Sequence, residues 1–437
     1  MADHGTSVTP YWELAFDADG DVDGRERDRL LAEVTGHGVR DLIVFSHGWN
    51  NDRSGATALY RAFFAPIPKL APKARIGYVG VVWPSMRFSD EPIPDLPKSV
   101  AAVEAEAAPH PALDKDTRQA LLRTFPDRTT VVERIAGLLD RQPREEARLK
   151  EFGRLVRLLV EVAPDGPQAL CATDTAEAGE PDMLCGDTVA ACDEFAQALA
   201  ALGASGGAEG FSLPNPWHGA RELLRQAAYY AMKRRAGTVG ERGLGPVIGR
   251  LASAAPDVRV HLVGHSFGGR LVSFALRGLP EGMRAVKSVT LLQGAFSHYA
   301  FAARLPHDPR AGGALRDLHQ RVDGPLVCCH SPHDSALGTF YPLASRMADD
   351  ARSVASLDIG RVLGPKWGAM GHDGVQAVPG TRALTLAEAL AGPLPASGCV
   401  NVDTAAVVRR GGPPAGAHSD IVHPELARVV LAAGRVT

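Results

Sequence analysis

Short, almost wholly apolar runs separated by longer stretches of helical spacing recur along this chain, and no other feature restricts its fold as much. Residues 41–45, 76–83, 258–263, 288–292 and 326–329 are such runs. A strand that is apolar on both sides must be covered on both faces, which argues for a mostly parallel sheet between helices. Residues 11–16 and 399–408 read as further strands, and residues 56–64, 220–235 and 424–433 as helices. The expected fold class is α/β, a mostly parallel sheet with helices on both faces and a large helical cap insertion.

The insertion is where the strand rhythm stops. Across residues 88–216 helical patterns take over, as in Val131, Val132, Ile135, Leu138 and Leu139, and again in Leu149, Phe152, Leu155, Val156 and Leu159. Prolines from Pro92 to Pro97 open the region, and a glycine-rich loop over residues 203–216 closes it. The expected division is a core of residues 11–87 and 217–437, with residues 88–216 as a helical cap over a site at the sheet's carboxyl edge. A peripheral elaboration or a subunit contact is the alternative for that segment.

The run 258–263 leads straight into Gly264-His265-Ser266-Phe267-Gly268-Gly269, and Leu271, Val272, Ala275 and Leu276 follow at helical spacing. Strand, tight turn and helix are the setting in which Gly-x-Ser-x-Gly carries chemistry. A serine there takes a strained backbone conformation, so its neighbours two residues away must be small, and Gly264 and Gly268 are. Ser266 is the candidate nucleophile.

A serine hydroxyl needs a base to take its proton and donors for the oxyanion that forms on attack. Ser46-His47-Gly48-Trp49-Asn50 follows the 41–45 strand and emerges at the same edge. The backbone N–H groups of Trp49 and Phe267 are the candidate oxyanion donors, while His47 and Asn50 shape the loop. The acid follows a later strand, as Asp334 in the loop after 326–329, with Asp323, Asp358 and Asp373 as weaker candidates. Among 15 histidines the candidate base is His418, after a glycine- and proline-rich loop and before the closing helix. His372 and His423 are its alternatives, His423 also being placed to cap that helix. His265 reads as packing under the turn, and Trp12, Trp83, Trp217 and Trp367 as core in preference to an acyl pocket.

Other patterns carry less. A net charge of -3 gives no broad attraction for nucleic acid or an anionic membrane face, and Lys233-Arg234-Arg235 reads as a solvated helix end. No apolar stretch is long enough to span a bilayer, and Met1-Ala-Asp-His-Gly-Thr6 does not read as a secretory signal. Six irregularly spaced cysteines suggest neither a disulfide framework nor a zinc site, so no metal and a cytoplasmic location are expected. Asp17-Ala-Asp-Gly-Asp-Val-Asp-Gly24 has the wrong residues for a calcium loop, with Val22 where glycine is required. It reads as a turn in which Asp23 caps a helix.

Together these features resemble the α/β-hydrolase family. His47-Gly48-Trp49 is similar to the family's oxyanion loop, Gly264-His265-Ser266-Phe267-Gly268 to its nucleophile elbow, and Ser266, Asp334, His418 follow its order along the chain. The likeness covers about residues 11–85 and 218–433. It implies a Ser-His-Asp triad, an acyl-enzyme intermediate and no cofactor. The expected activity is esterase- or lipase-like cleavage of a carboxylic ester in a small-molecule or lipid-like acyl substrate. Thioester, amide or peptide cleavage would use the same machinery, and a ligand-binding protein that kept the fold without turnover is the reading from another class.

Overall fold

The structure is a computed structural model and describes residues 7–49, 51–86, 88, 111–163, 166–175, 182–205, 215–337, 368–411 and 416–437. Asn50, Asp358 and Trp367, singled out above, lie outside these residues. Eight strands form one sheet: β1 (Tyr11–Ala15), β2 (Asp41–Ser46), β3 (Ile76–Val82), β4 (Arg259–His265), β5 (Val286–Leu292), β6 (Pro325–His330), β7 (Arg382–Thr385) and β8 (Gly398–Asp403). Their order is β1-β3-β2-β4-β5-β6-β8-β7, and every pairing is parallel. All carboxyl ends therefore meet one edge of the sheet.

The apolar runs supply both faces, because successive strand residues point to opposite sides. Leu42, Val44, Val260, Leu262, Val289 and Leu291 join one core cluster, and Ile43, Phe45, Val263, Leu292, Val327 and Cys329 join the other. On the first face lie α1 (Gly24–Glu33), α10 (Pro216–Thr238), α11 (Gly245–Ala254) and α12 (Phe267–Gly278), through Leu30, Leu224, Ile248 and Phe274 among others. On the second lie α2 (Arg53–Phe64), α3 (Ile67–Leu70) and the closing helix Pro424–Gly434. The helix after β2 and the helix after β4 thus depart to opposite faces. Adjacent strands whose connections diverge in this way leave a crevice at their carboxyl ends.

The described helices of the insertion are α4 (Lys115–Thr124), α5 (Thr129–Arg141), α6 (Glu146–Val160), α7 (Pro167–Leu170), α8 (Asp182–Cys185) and α9 (Thr188–Ser205). They share the first core cluster through Leu121, Ile135, Phe152 and Phe195, and α6 and α9 pack on α10. A cap over the site, as expected of residues 88–216, falls partly on residues 89–110, 176–181 and 206–214, outside the described ones.

The basic run on α10 is not a solvated helix end. Arg234 and Arg235 are buried and Lys233 is half-buried. Arg234 donates to the carbonyl of Val160, the last residue of α6. Arg235 donates to Pro84 O at 2.8 Å and to Thr124 O, at the end of α4, at 3.2 Å. Terminal helix carbonyls lack intrahelical partners and carry the negative end of the dipole, so these cations fasten the insertion to the core. Charge alone gave the wrong reading because it ignored what the helix would be sandwiched between.

Asp23 does cap α1, its carboxylate accepting from the N–H groups of Arg25 and Glu26 at 2.8 and 3.2 Å. Among the described residues no helix is long and apolar enough to cross a membrane, and no group of three or more His, Cys, Asp or Glu side chains is arranged to hold a metal ion.

Candidate active site

Ser266 sits between the end of β4 and the start of α12 with φ 54 and ψ -123. A non-glycine residue in that region costs on the order of 1–3 kcal/mol and persists only where its surroundings impose it. They do so here. A Cβ on Gly264 would strike the carbonyl of Gly268, and one on Gly268 would strike the carbonyls of Ser46 and His47. Both ends of the turn therefore have to be glycine, and the chain cannot relax around the serine.

The relay from that serine is continuous. Ser266 Oγ lies 2.9 Å from His418 Nε2, and His418 Nδ1 lies 2.8 Å from Asp334 Oδ2. A carboxylate only accepts, so Nδ1 carries the proton and Nε2 is left to accept from the serine hydroxyl. Asp334 is fully buried and Ser266 is 4% exposed. Asp334 Oδ1 accepts from the Leu337 N–H at 3.0 Å, closing the turn after β6 around the carboxylate. The loops bearing the acid and the base are joined directly, through Ala417 N–H to His333 O at 2.9 Å.

The Ser46–Trp49 segment passes against the serine: a Cβ on Gly48 would lie 2.6 Å from Ser266 Cβ and 3.2 Å from its Oγ. His47 shapes this loop and is itself buried. Its Nδ1 donates to Gly48 O at 2.8 Å, and its ring stacks on Trp83 with centroids 5.5 Å apart. Burial pushes its imidazole down to about 4, so it is neutral near pH 7. Trp49 lies beside Phe267, with centroids 6.3 Å apart, and beside Tyr229 at 5.2 Å. As the first residue of α12, Phe267 has an N–H with no acceptor inside its helix.

Of the other candidates, Asp323 pairs with Lys287 and Arg284 on the surface. Asp373 holds His298 at 3.1 Å and His372 at 2.7 Å, so His372 is engaged by a different carboxylate. His423 stands at the N-terminus of the closing helix but makes no side-chain cap; its Nε2 pairs with Asp420 at 2.9 Å. Trp12, Trp83 and Trp217 are core residues.

In sequence, His265 reads only as packing, and neither Gln293 nor Arg270 is marked at all. His265 does more than pack: its Nε2 donates to the His418 carbonyl at 2.9 Å, which holds the backbone of the base. Burial first, then the nearby His418, push its imidazole down to about 3. Gln293, the first residue past β5, donates from Nε2 to Asp334 Oδ2 at 3.3 Å; a polar residue ending an apolar strand at that edge was its only signal. Arg270, one turn into α12 and fully buried, donates to Asp174 Oδ1 at 2.9 Å. Lys233 reaches the other oxygen of Asp174 at 2.7 Å. Burial would raise the Asp174 carboxyl, but the two cations outweigh it and hold it well below the usual range. This triad ties the insertion to the helix that begins at the serine.

Chemically, the arrangement can make a hydroxyl nucleophilic by proton transfer to a neutral imidazole whose cationic form is stabilised by a buried carboxylate. No family model, curated protein or solved structure matches the chain, so the reading of this site rests on its own geometry.

Proposed function

We propose that the chain is a serine hydrolase of the α/β-hydrolase kind, cleaving carboxylic esters through an acyl-enzyme. Ser266 attacks the carbonyl carbon while His418 takes its proton through Nε2. Asp334 keeps His418 in the required tautomer and stabilises its charged form. The Trp49 and Phe267 N–H groups donate to the oxyanion, aided by the positive end of the α12 dipole. On collapse His418 returns the proton to the leaving oxygen, and water then releases the acyl group by the same steps in reverse. The observation that carries this reading is the unbroken Ser266–His418–Asp334 hydrogen-bond relay on a serine held at φ 54.

The test is labelling with a fluorophosphonate, followed by mass-spectrometric mapping and a panel of esters, thioesters and amides. Modification confined to Ser266 with ester turnover is the expected result. A protein that stays unlabelled while folded would remove the proposal, and preference within the panel separates ester from thioester or amide cleavage.

A further inference from the structure

Gln293 is the residue where β5 leaves the sheet, and three features set it apart. Its backbone is left-handed, with φ 47 in a residue that is not glycine. Its side chain is 1% exposed. Its Nε2 donates both to Asp334 Oδ2 at 3.3 Å and to Gly371 O at 3.2 Å. Both neighbours of that nitrogen are acceptors, so the amide cannot be reversed without setting oxygen against oxygen. Its Oε1, also buried, has no partner among the described residues. A strained backbone and an unsatisfied buried oxygen are both costs. What they secure is one N–H on the same carboxylate oxygen that accepts from His418.

We propose that Gln293 is a positioning residue, holding the Asp334 carboxylate in the orientation that receives the His418 Nδ1–H. The main chain is built to keep it there. Its own N–H donates to Cys329 O at 3.2 Å, and the turn carrying Gly371 is stitched to the segment after it through Gly371 N–H to Gly294 O and Met370 N–H to Phe296 O, both 2.9 Å. Asp334 Oδ1 is fixed by Leu337 N–H and Oδ2 by His418 and Gln293. With both oxygens engaged, the carboxylate cannot rotate away from the imidazole.

The Gln293 N–H also competes with His418 for the density on Oδ2. Removing it makes that oxygen a stronger acceptor for the imidazolium, so the His418 titration moves upward. The other titratable groups facing this pair are His265, whose ring centroid is 5.1 Å from that of His418, and His372, which senses the Asp334 charge and is paired to Asp373. Gln293→Met introduces no charge beside them.

The inference rests on the proposed hydrolase reading for its effect on turnover, but its main readout does not. The His418 titration is followed by NMR in histidine-labelled full-length protein, the signal being assigned by its loss in His418→Asn. Gln293→Met removes the N–H at similar volume, and Gln293→Glu replaces it with a second carboxyl; folding of each is checked by circular dichroism. An upward shift of about 0.5 unit or more in Gln293→Met, and a larger one in Gln293→Glu, supports the proposal. With an ester substrate, kcat falls roughly tenfold in Gln293→Met while KM stays within about twofold. A His418 titration unmoved in either folded variant overturns it. Failure of the hydrolase reading shows separately, as absence of fluorophosphonate labelling at Ser266 in the unaltered protein.

Discussion

Two serine–histidine–aspartate relays are built into this sheet, one at each end of β4. At the carboxyl edge stand Ser266, His418 and Asp334. Toward the amino edge Ser288 Oγ lies 2.9 Å from His261 Nδ1, and His261 Nε2 lies 2.9 Å from Asp41 Oδ1. The side chains and distances are nearly the same, yet only the first has the surroundings that the proposed chemistry needs. Ser288 lies inside β5, just past a register shift against β4, and is 1% exposed, whereas Ser266 is strained at the head of a helix. Asp41 also pairs with Arg259; among the described residues Asp334 has no lysine or arginine against it and spends its charge on His418. Gly434, near the end of the closing helix, packs against the His261 ring and seals it. The inner relay is a cross-link among β2, β4 and β5. Residue type alone does not separate the two relays; the strain at Ser266 and the cation on the inner carboxylate do.

The sharpest way to break the comparison is to remove each serine in turn. Ser266→Ala is expected to lower ester kcat/KM by about 10³–10⁶-fold with an unchanged melting temperature. Ser288→Ala should leave turnover within about twofold while costing about 1–2 kcal/mol of stability, from one lost buried hydrogen bond. If both substitutions cut turnover alike, the distinction drawn from geometry is false. Next come the acids. Asp334→Asn should cost about 10⁴-fold in kcat, because the amide favours the wrong imidazole tautomer. Asp41→Asn should leave kcat unaltered and show itself in urea titration, since the Arg259 and His261 donors lose a charged acceptor.

A third effect tests what backs the outer relay and has no counterpart at the inner one. Asp174→Asn leaves Lys233 and Arg270 without their buried carboxylate behind the helix that starts at Ser266. Breaking a buried ionic group from one side costs about 3–5 kcal/mol. The folded Asp174 carboxyl is held below its unfolded value, so its stabilising contribution is complete above about pH 4 and lost as pH falls through the depressed folded value. The expected outcome at pH 7 is a large drop in the denaturation midpoint, with fluorophosphonate labelling slowed as α12 loosens. An unchanged midpoint would mean the insertion is fastened elsewhere.

The outer relay was legible because its parts follow apolar strands in a parallel sheet, where every carboxyl end reaches one edge. Ser266, Asp334 and His418 each come just after such a run or its loop. The fold was legible for the same reason, and failed where that signal is weak. β7, Arg382–Thr385, is an edge strand with an exposed pattern, so nothing apolar marks it. The strand expected over residues 399–408 stops at Asp403, and a turn follows in which Thr404 O accepts from the Val407 and Val408 N–H groups, both at 2.9 Å. The supports were illegible for a different reason. The His265 contact to His418 spans 153 residues, and Arg270 meets Asp174 across 96. A long-range contact between polar groups leaves no periodicity, and a buried cation looks in sequence like a surface one.

The smallest expected effect concerns the charge on the inner histidine. Burial lowers the His261 pKa, and the attraction of Asp41 does not recover it. In the unfolded chain a histidine protonates near pH 6.5, so on acidification the unfolded state takes up a proton that folded His261 resists. Stability should therefore fall as pH drops below about 6.5, with His47 and His265, held down to about 4 and about 3, contributing in the same direction. His261→Gln removes one of these protons. Its absolute stability is lower, because two hydrogen bonds are disturbed, but from about pH 6.5 down to the lowered folded value of His261 the slope of unfolding free energy against pH should be shallower by up to ~1.4 kcal/mol per pH unit. Asp41 blurs the measurement little: burial raises its carboxyl, the hydrogen bonds from His261 and Arg259 bring it below the usual range, and Arg259 remains in the variant. A slope identical to that of the unaltered protein would mean His261 is charged in the folded state. The inner relay would then be an ion pair, and the contrast with the outer one would rest on the strain at Ser266 and the cation at Arg259.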